Sequence, residues 1–130
     1  MANPVPALNV KVTGSPAQTE IKLAKFPGPL RISIPKSAEV FNDGVVYATL
    51  GDDPENPDLK GDSIPAGAWE EGQPPKEPDE GEYVRTENLV VELSAAQLKK
   101  FAGQTVRMYY AAEATSGLII GSEPVSLKIS

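Results

Sequence analysis

A chain of 130 residues without cysteine or histidine can bury one hydrophobic core without disulfides or metals. It also lacks the commonest general base and the commonest transition-metal ligand. The net charge is −6, but residues 51–87 hold twelve acidic residues against three basic ones, which gives −9 there and leaves +3 elsewhere. Because such a segment repels phosphate and the chain has only three arginines, we expect no nucleic-acid partner.

The N-terminal residues show no basic n-region followed by an apolar h-region, and no apolar run approaches the length of a membrane span. We therefore expect a soluble protein that is made in the cytoplasm, with no secretory signal and no membrane span. Export by a route that leaves no N-terminal signature and assembly on a particle stay open, as does the oligomeric state.

Short runs of alternating apolar and polar residues predict β-strands along most of the chain. In chain order these runs are Leu8–Val12, Ile21–Leu23, Leu30–Ile34, Val45–Leu50, Leu89–Leu93, Thr105–Ala111 and Val125–Ile129. The run after the Asn42–Gly44 turn is expected to be a central strand. The predicted core consists of Val10, Ile32, Ile34, Tyr47 or Val46, Val91, Val106, Met108, Leu127 and Ile129.

Residues 51–82 form an acidic, Pro/Gly-rich segment, with six prolines between Gly51 and Gly81. Such a composition buries too little apolar area to offset its ordering entropy. We expect a loop, mobile or loosely docked, on which neither the core nor folding depends. The acidic run Asp52–Asp62 could suggest calcium, but its glycine and prolines do not fit an EF-hand, so a solvated loop is favoured and no metal or cofactor is expected.

A short helix is predicted from Ser94 to Gly103. Ser94 and Gln97 have the spacing of a capping box, and Gly103 can close the helix. Leu98 and Phe101 are three residues apart and would face the sheet together. In the strand that follows, Tyr109 and Tyr110 point to opposite faces, so one is expected in the core and the other on the surface beside Arg107.

The segments Leu30–Leu50 and Leu89–Ser130 together resemble the immunoglobulin-like modules that are repeated in large bacterial surface and adhesin-like proteins. The similarity is closest at Gly103–Val106, Tyr109-Tyr110 and Ser122–Ile129. The resemblance implies an all-β fold, an immunoglobulin-like antiparallel β-sandwich. Residues 1–130 would then be a single domain, with residues 51–82 as a long acidic loop.

No enzymatic pattern is present: the serines lack a histidine partner and there is no phosphate-binding GxxxxGK[ST] loop. We therefore expect a non-catalytic module that recognises a protein or glycan partner through its loops. The alternative is a structural accessory protein, a decoration or appendage of a phage or surface assembly. A third hypothesis is an enzyme or metal-dependent regulator that uses the acidic loop.

Trp69 is the only tryptophan, and three interpretations of it stay open. It could pin the acidic segment against the sandwich, contact a ligand, or lie in a disordered stretch. If binding occurs, an indole is the large rigid contact that the loop offers, and the surrounding carboxylates would favour a basic protein surface. The predicted partner site is Trp69 with Asp52, Asp53, Glu70, Glu71 and Tyr83.

Overall fold

The computed structural model describes residues 3–9, 12, 14, 17–25, 29–53, 56–70, 81–86 and 88–130. Within these residues the protein is all-β, with one short helix. The strands are β1 Ala7–Leu8, β2 Gln18–Ile21, β3 Leu30–Ser33, β4 Val45–Leu50, β5 Leu59–Lys60, β6 Ile64–Pro65, β7 Gly67–Glu70, β8 Glu82–Arg85, β9 Val90–Leu93, β10 Gln104–Glu113, β11 Ile119–Gly121 and β12 Val125–Ile129. The helix is α1, Ala95–Lys99.

The strands form three sheets. A three-stranded sheet has the order β1-β3-β9, and a larger sheet has the order β2-β12-β10-β4-β5, with β11 beside β10 and β6 beside β4. Strands β7 and β8 make a separate pair. Among the described residues the strands pair antiparallel except β2 with β12, which are parallel. An isolated bridge between Asn3 and Ser122 is also parallel.

One hydrophobic core receives side chains from both larger sheets, because alternate residues of each strand face inward. Ile32 of β3 and Val91 of β9 belong to the same buried cluster as Met108 of β10 and Leu127 of β12. All described members of the predicted core are buried, and Val10 lies outside the described residues. Both candidates in β4 are buried: Val46 belongs to the core cluster, whereas Tyr47 points to the opposite face.

The prediction of a loop over residues 51–82 is wrong for three short segments, which form strands: β5 (Leu59–Lys60), β6 (Ile64–Pro65) and β7 (Gly67–Glu70). Strands β5 and β6 pair with opposite ends of β4. Ala66 is fully buried in the core, and Leu59 and Ile64 pack against it. The short strands satisfy their backbone groups on β4, the strand that precedes them, and composition alone does not show this pairing.

The same segment also covers part of the outer face of the larger sheet. The hydroxyl of Tyr109 donates to the backbone oxygen of Asp52 at 3.1 Å, and Lys60 Nζ lies 4.2 Å from the centre of the Tyr47 ring. Tyr109 is therefore buried, like Tyr110 of the core. The prediction that one of the two tyrosines lies on the sheet surface is wrong, because the chain after β4 folds back over it.

The predicted helix and its capping box are confirmed. Ser94 Oγ accepts from the backbone N–H of Gln97 at 3.1 Å, and the Gln97 side chain accepts from the backbone N–H of Ser94 at 2.8 Å. Leu98 is buried. The helix is shorter than predicted, because it ends at Lys99 with Lys100 as its C-cap, and Gly103 (φ 81°) lies in the turn that follows rather than at the helix end. No helix in the described part of the chain is long and apolar enough to cross a membrane.

Candidate functional site

Strands β7 and β8 hold an exposed pair of aromatic side chains. In their antiparallel register Trp69 lies opposite Tyr83, and Glu70 lies opposite Glu82. The two ring centroids are 5.2 Å apart and the ring planes meet at 72°, an edge-to-face contact of the kind that aromatic quadrupoles favour. Each aromatic side chain nevertheless remains 47% exposed. The pair is thus held by internal contact and keeps about half of its surface for another molecule.

The base of this strand pair is fixed to the body of the protein by the backbone. Ala66, just before β7, donates its N–H to Gly44 O and accepts from the N–H of Thr86, both at 3.0 Å. Gly67 packs so closely that a Cβ there would lie 2.5 Å from the backbone oxygens of Asn42 and of Val84. A side chain at position 67 would therefore force the pair away from the loop that precedes β4.

Arg85 provides a second attachment at the base. Its guanidinium donates to three backbone oxygens of the loop after β3, those of Pro35 (2.8 Å), Lys36 (3.1 Å) and Ala38 (2.6 Å). The planar fork of arginine suits several acceptors at once. The side chain thereby holds β8 against this loop. Sequence analysis missed the role of Arg85, because no local pattern shows which distant carbonyl groups an arginine will meet.

The acidic side chains beside the aromatic pair point to the other face of the strands, since successive residues alternate. Glu70 and Glu82 are directly opposed and exposed. Like charges directly opposite each other destabilise a strand pair. A cation placed between the two carboxylates would remove that repulsion. The site thus has one aromatic and one acidic face.

The large hydrophobic side chains that are exposed in the described residues all lie toward one end of the molecule, where β4 begins. They are Trp69, Tyr83, Val5 (43% exposed) and Leu118 (59%). Leu118 lies in the turn after β10, whose last residue Glu113 pairs with Val45 at the start of β4. Val5 lies two residues before Ala7, which pairs with Ser33 at the end of β3. We call this region the aromatic end.

Exposed carboxylates accompany these hydrophobic side chains. Glu39 and Asp43 are exposed in the loop between β3 and β4, and Glu70 and Glu82 are exposed on the strand pair. The aromatic end therefore combines apolar contact area with negative charge. A signal for part of it existed in the sequence: the apolar Leu118 stands directly after a Ser-Gly turn, a position where an exposed side chain is expected.

The other predicted site residues do not all join this region. Asp52 and Asp53 follow Leu50, the last residue of β4, whereas β7 begins beyond Val45, its first residue. The length of β4, roughly 16 Å, therefore separates the two aspartates from the aromatic pair. Glu71 lies outside the described residues. The structure thus brings together Trp69, Tyr83 and Glu70 of the predicted set. In the described residues no three acidic side chains come together as a metal site.

Comparison with known proteins finds no match: no family model, curated protein or solved structure resembles the chain significantly. Any function proposed for the chain therefore rests on its own geometry and charge.

Proposed function

We propose that the protein is a non-catalytic binding module with an immunoglobulin-like sandwich as scaffold, and that its aromatic end binds a protein with a basic surface. The observation that supports this most is the Trp69–Tyr83 pair, which is attached rigidly at its base and yet half exposed. Rigid aromatic side chains give a large contact area at low entropic cost, and they are enriched among residues that dominate binding energy.

The strand order supports the immunoglobulin-like arrangement. The sheet β1-β3-β9 has the chain order of strands A, B and E, and the neighbours β12-β10-β4 follow the order of G, F and C. β5 beside β4 matches the extra strand of variable-type domains. In such domains the binding loops cluster at one end of the sandwich. The aromatic end is the corresponding place here, formed by the loops before β4 and after β10 and by the β7–β8 pair.

Charge favours a basic protein over the other partner classes. The chain has a net charge of −6. Glu39 and Asp43 are exposed in the loop before β4, and Glu70 and Glu82 are exposed on the face of the β7–β8 pair opposite the aromatic rings. Lysine or arginine on the partner would relieve the repulsion between Glu70 and Glu82 and could stack on the exposed aromatic rings. Anionic glycans would be repelled by the same carboxylates.

The proposal can be tested before any natural partner is identified, by selecting peptides from a random displayed library on the immobilised protein. We expect the enriched peptides to contain lysine or arginine together with apolar residues. Trp69→Ala should weaken their binding by about 2 kcal/mol, roughly 30-fold, as for a central aromatic contact. Trp69→Phe should retain part of the affinity, because a ring is kept.

A charge-matched pair of variants isolates the electrostatic contribution. Glu82→Gln should slow association and reduce its salt dependence. Glu20→Gln should leave association unchanged. Glu20 is exposed on β2 and lies opposite Lys128 in the strand register, toward the other end of the sheet from the aromatic pair. Selection of acidic peptides, or equal affinity of Trp69→Ala and the wild type, would contradict the proposal.

A further inference from the structure

A cavity of about 270 Å³ lies beside the base of the β7–β8 pair, between the end of β3 and the turn that joins β8 to β9. Sites for drug-sized molecules measure about 300–1,000 Å³. The cavity is therefore suited to a small molecule or to one terminal group of a larger one. Its walls differ in chemistry, with cationic and hydroxyl groups on some sides and aliphatic side chains on others.

The polar part of the cavity is positively charged. Lys36 and Arg85 both line it, and within the described residues the ion pair that forms is Arg31–Glu92, which involves neither of them. Three of the five N–H groups of Arg85 donate to backbone oxygens of the loop after β3, and the other two have no acceptor among the residues that the structure describes. In a chain with a net charge of −6, two cations at one cavity without a carboxylate partner in the described residues favour an anion.

Arg85 is also held in place before any ligand arrives. Its three backbone acceptors fix the plane of the guanidinium, so little side-chain entropy remains to be lost on binding. Ser33 and Thr86 line the same cavity, and a hydroxyl group can donate to an anion's oxygens. The pattern is that of a preformed set of hydrogen-bond donors for a carboxylate rather than of a flexible surface cation.

The rest of the lining is apolar. Ile34 and Leu89 are 5% and 3% exposed, and both border the cavity. Their backbones are joined by the hydrogen bond from Ile34 N–H to Leu89 O at 2.9 Å, so this wall is part of the fold. A fully hydrated ion such as phosphate would gain nothing from it. An aliphatic group would be removed from water there, at roughly 25 cal/mol per Å² of apolar surface.

Asn88 adds an unusual backbone conformation to the lining. Asn88 lines the cavity and has φ 56°. Among the described residues it is the only one other than glycine whose backbone lies in the left-handed region. Asparagine tolerates this conformation better than most residues, but it is still less favourable than the right-handed one. Such conformations concentrate at binding sites, where the backbone must follow a particular path.

We propose that this cavity binds a small carboxylate with a short aliphatic group, the carboxylate against Lys36 and Arg85 and the aliphatic group against Ile34 and Leu89. Free short-chain acids and the C-terminal residue of a peptide share this chemistry. The proposal is independent of a protein partner at the aromatic end, because it concerns the walls of one cavity and not the exposed rings.

The test is a titration followed by amide chemical shifts of the ¹⁵N-labelled protein. Isovalerate represents the free acid, N-acetyl-leucine the chain terminus, isovaleramide the uncharged isostere and inorganic phosphate the anion without an aliphatic group. We expect both carboxylates to shift the amides of Asn88, Leu89 and Val90, and we expect isovaleramide and phosphate to bind at least about tenfold more weakly. Tighter binding of N-acetyl-leucine than of isovalerate would identify the C-terminus of a peptide as the source of the carboxylate. Tighter binding of isovalerate would identify a free acid.

Lys36→Gln is the informative variant, because it removes the positive charge but keeps the backbone oxygen to which Arg85 donates. It should weaken isovalerate about tenfold while leaving the unfolding midpoint unchanged. Lys100→Gln, an exposed lysine at the end of α1, is the matched control and should not alter binding. Absence of shifts up to about 20 mM, equal binding of isovaleramide or phosphate, or equal effects of the two lysine variants would overturn the proposal.

Discussion

Replacement of Arg85 by methionine should detach the β7–β8 pair and lower the free energy of unfolding. Methionine keeps the aliphatic length but removes the donors to the oxygens of Pro35, Lys36 and Ala38. A hydrogen bond from a charged donor contributes about 1.5–3 kcal/mol net. Since the surrounding loop is partly exposed and its carbonyl groups can regain water, we expect a total loss of roughly 2–4 kcal/mol rather than the sum of three full contributions.

Arg31→Met is the matched control for this change. Arg31 forms an ion pair with Glu92 at 3.4 Å, and both side chains are more than half exposed. Exposed pairs contribute about 0–1 kcal/mol, so the control should stay close to wild type. Arg85→Lys should fall between the two, because an ammonium group cannot reach all three acceptors in the geometry of the guanidinium fork.

Urea denaturation measures these differences, with far-ultraviolet circular dichroism for the sheets and fluorescence of the single tryptophan for the β7–β8 pair. In Arg85→Met the fluorescence of Trp69 should change at a lower urea concentration than the circular dichroism. An unfolding free energy within about 0.5 kcal/mol of wild type, with coincident transitions, would refute the claim that Arg85 anchors β8.

Burial, packing and ionisation give three more predictions. Leu127→Ala, at a fully buried position, should cost about 2–5 kcal/mol in urea denaturation; a loss below about 1 kcal/mol would contradict its place in the core. Gly67→Ala should cost about 1–3 kcal/mol because backbone oxygens occupy the space that its Cβ needs, and collisional quenching of Trp69 should increase. Burial raises the pKa of Tyr47 and of Tyr110 to about 12 from a usual value of about 10. The stability that their protonated forms contribute should therefore be complete below about pH 10 and should be lost as the pH rises toward about 12. Denaturation midpoints that stay constant across that interval would contradict it.

Elements with a strong local pattern could be predicted from the sequence. Val45–Leu50 forms β4 with the predicted bounds, and Val125–Ile129 forms β12. Strict alternation and β-branched residues define such strands whatever their neighbours are. The capping box of Ser94 and Gln97 is equally local, since both partners lie within one turn.

Elements that depend on pairing with another strand rather than on a local pattern could not be predicted. β5 and β6 are two residues long and exist because β4 offers hydrogen bonds to both; their proline- and acid-rich surroundings indicate a loop. The candidate site shows the same division. Trp69 could be singled out by composition, but its contact with Tyr83 and the separation from Asp52 depend on the register and direction of strands that the sequence did not reveal.

The place of β12 in the larger sheet has a consequence for synthesis. β12 lies between β10 and β2, and its partner β2 comes from more than a hundred residues earlier in the chain. While the ribosome still holds residues 125–129, β2 lacks the strand with which it pairs, and the edge of β10 from Gln104 to Met108 is uncovered. An uncovered hydrophobic strand edge can pair with other chains. The nascent protein is therefore expected to depend most on chaperones just before β12 emerges, and ribosome-bound chains arrested at successive lengths should show a sharp gain in protease resistance once that strand is free.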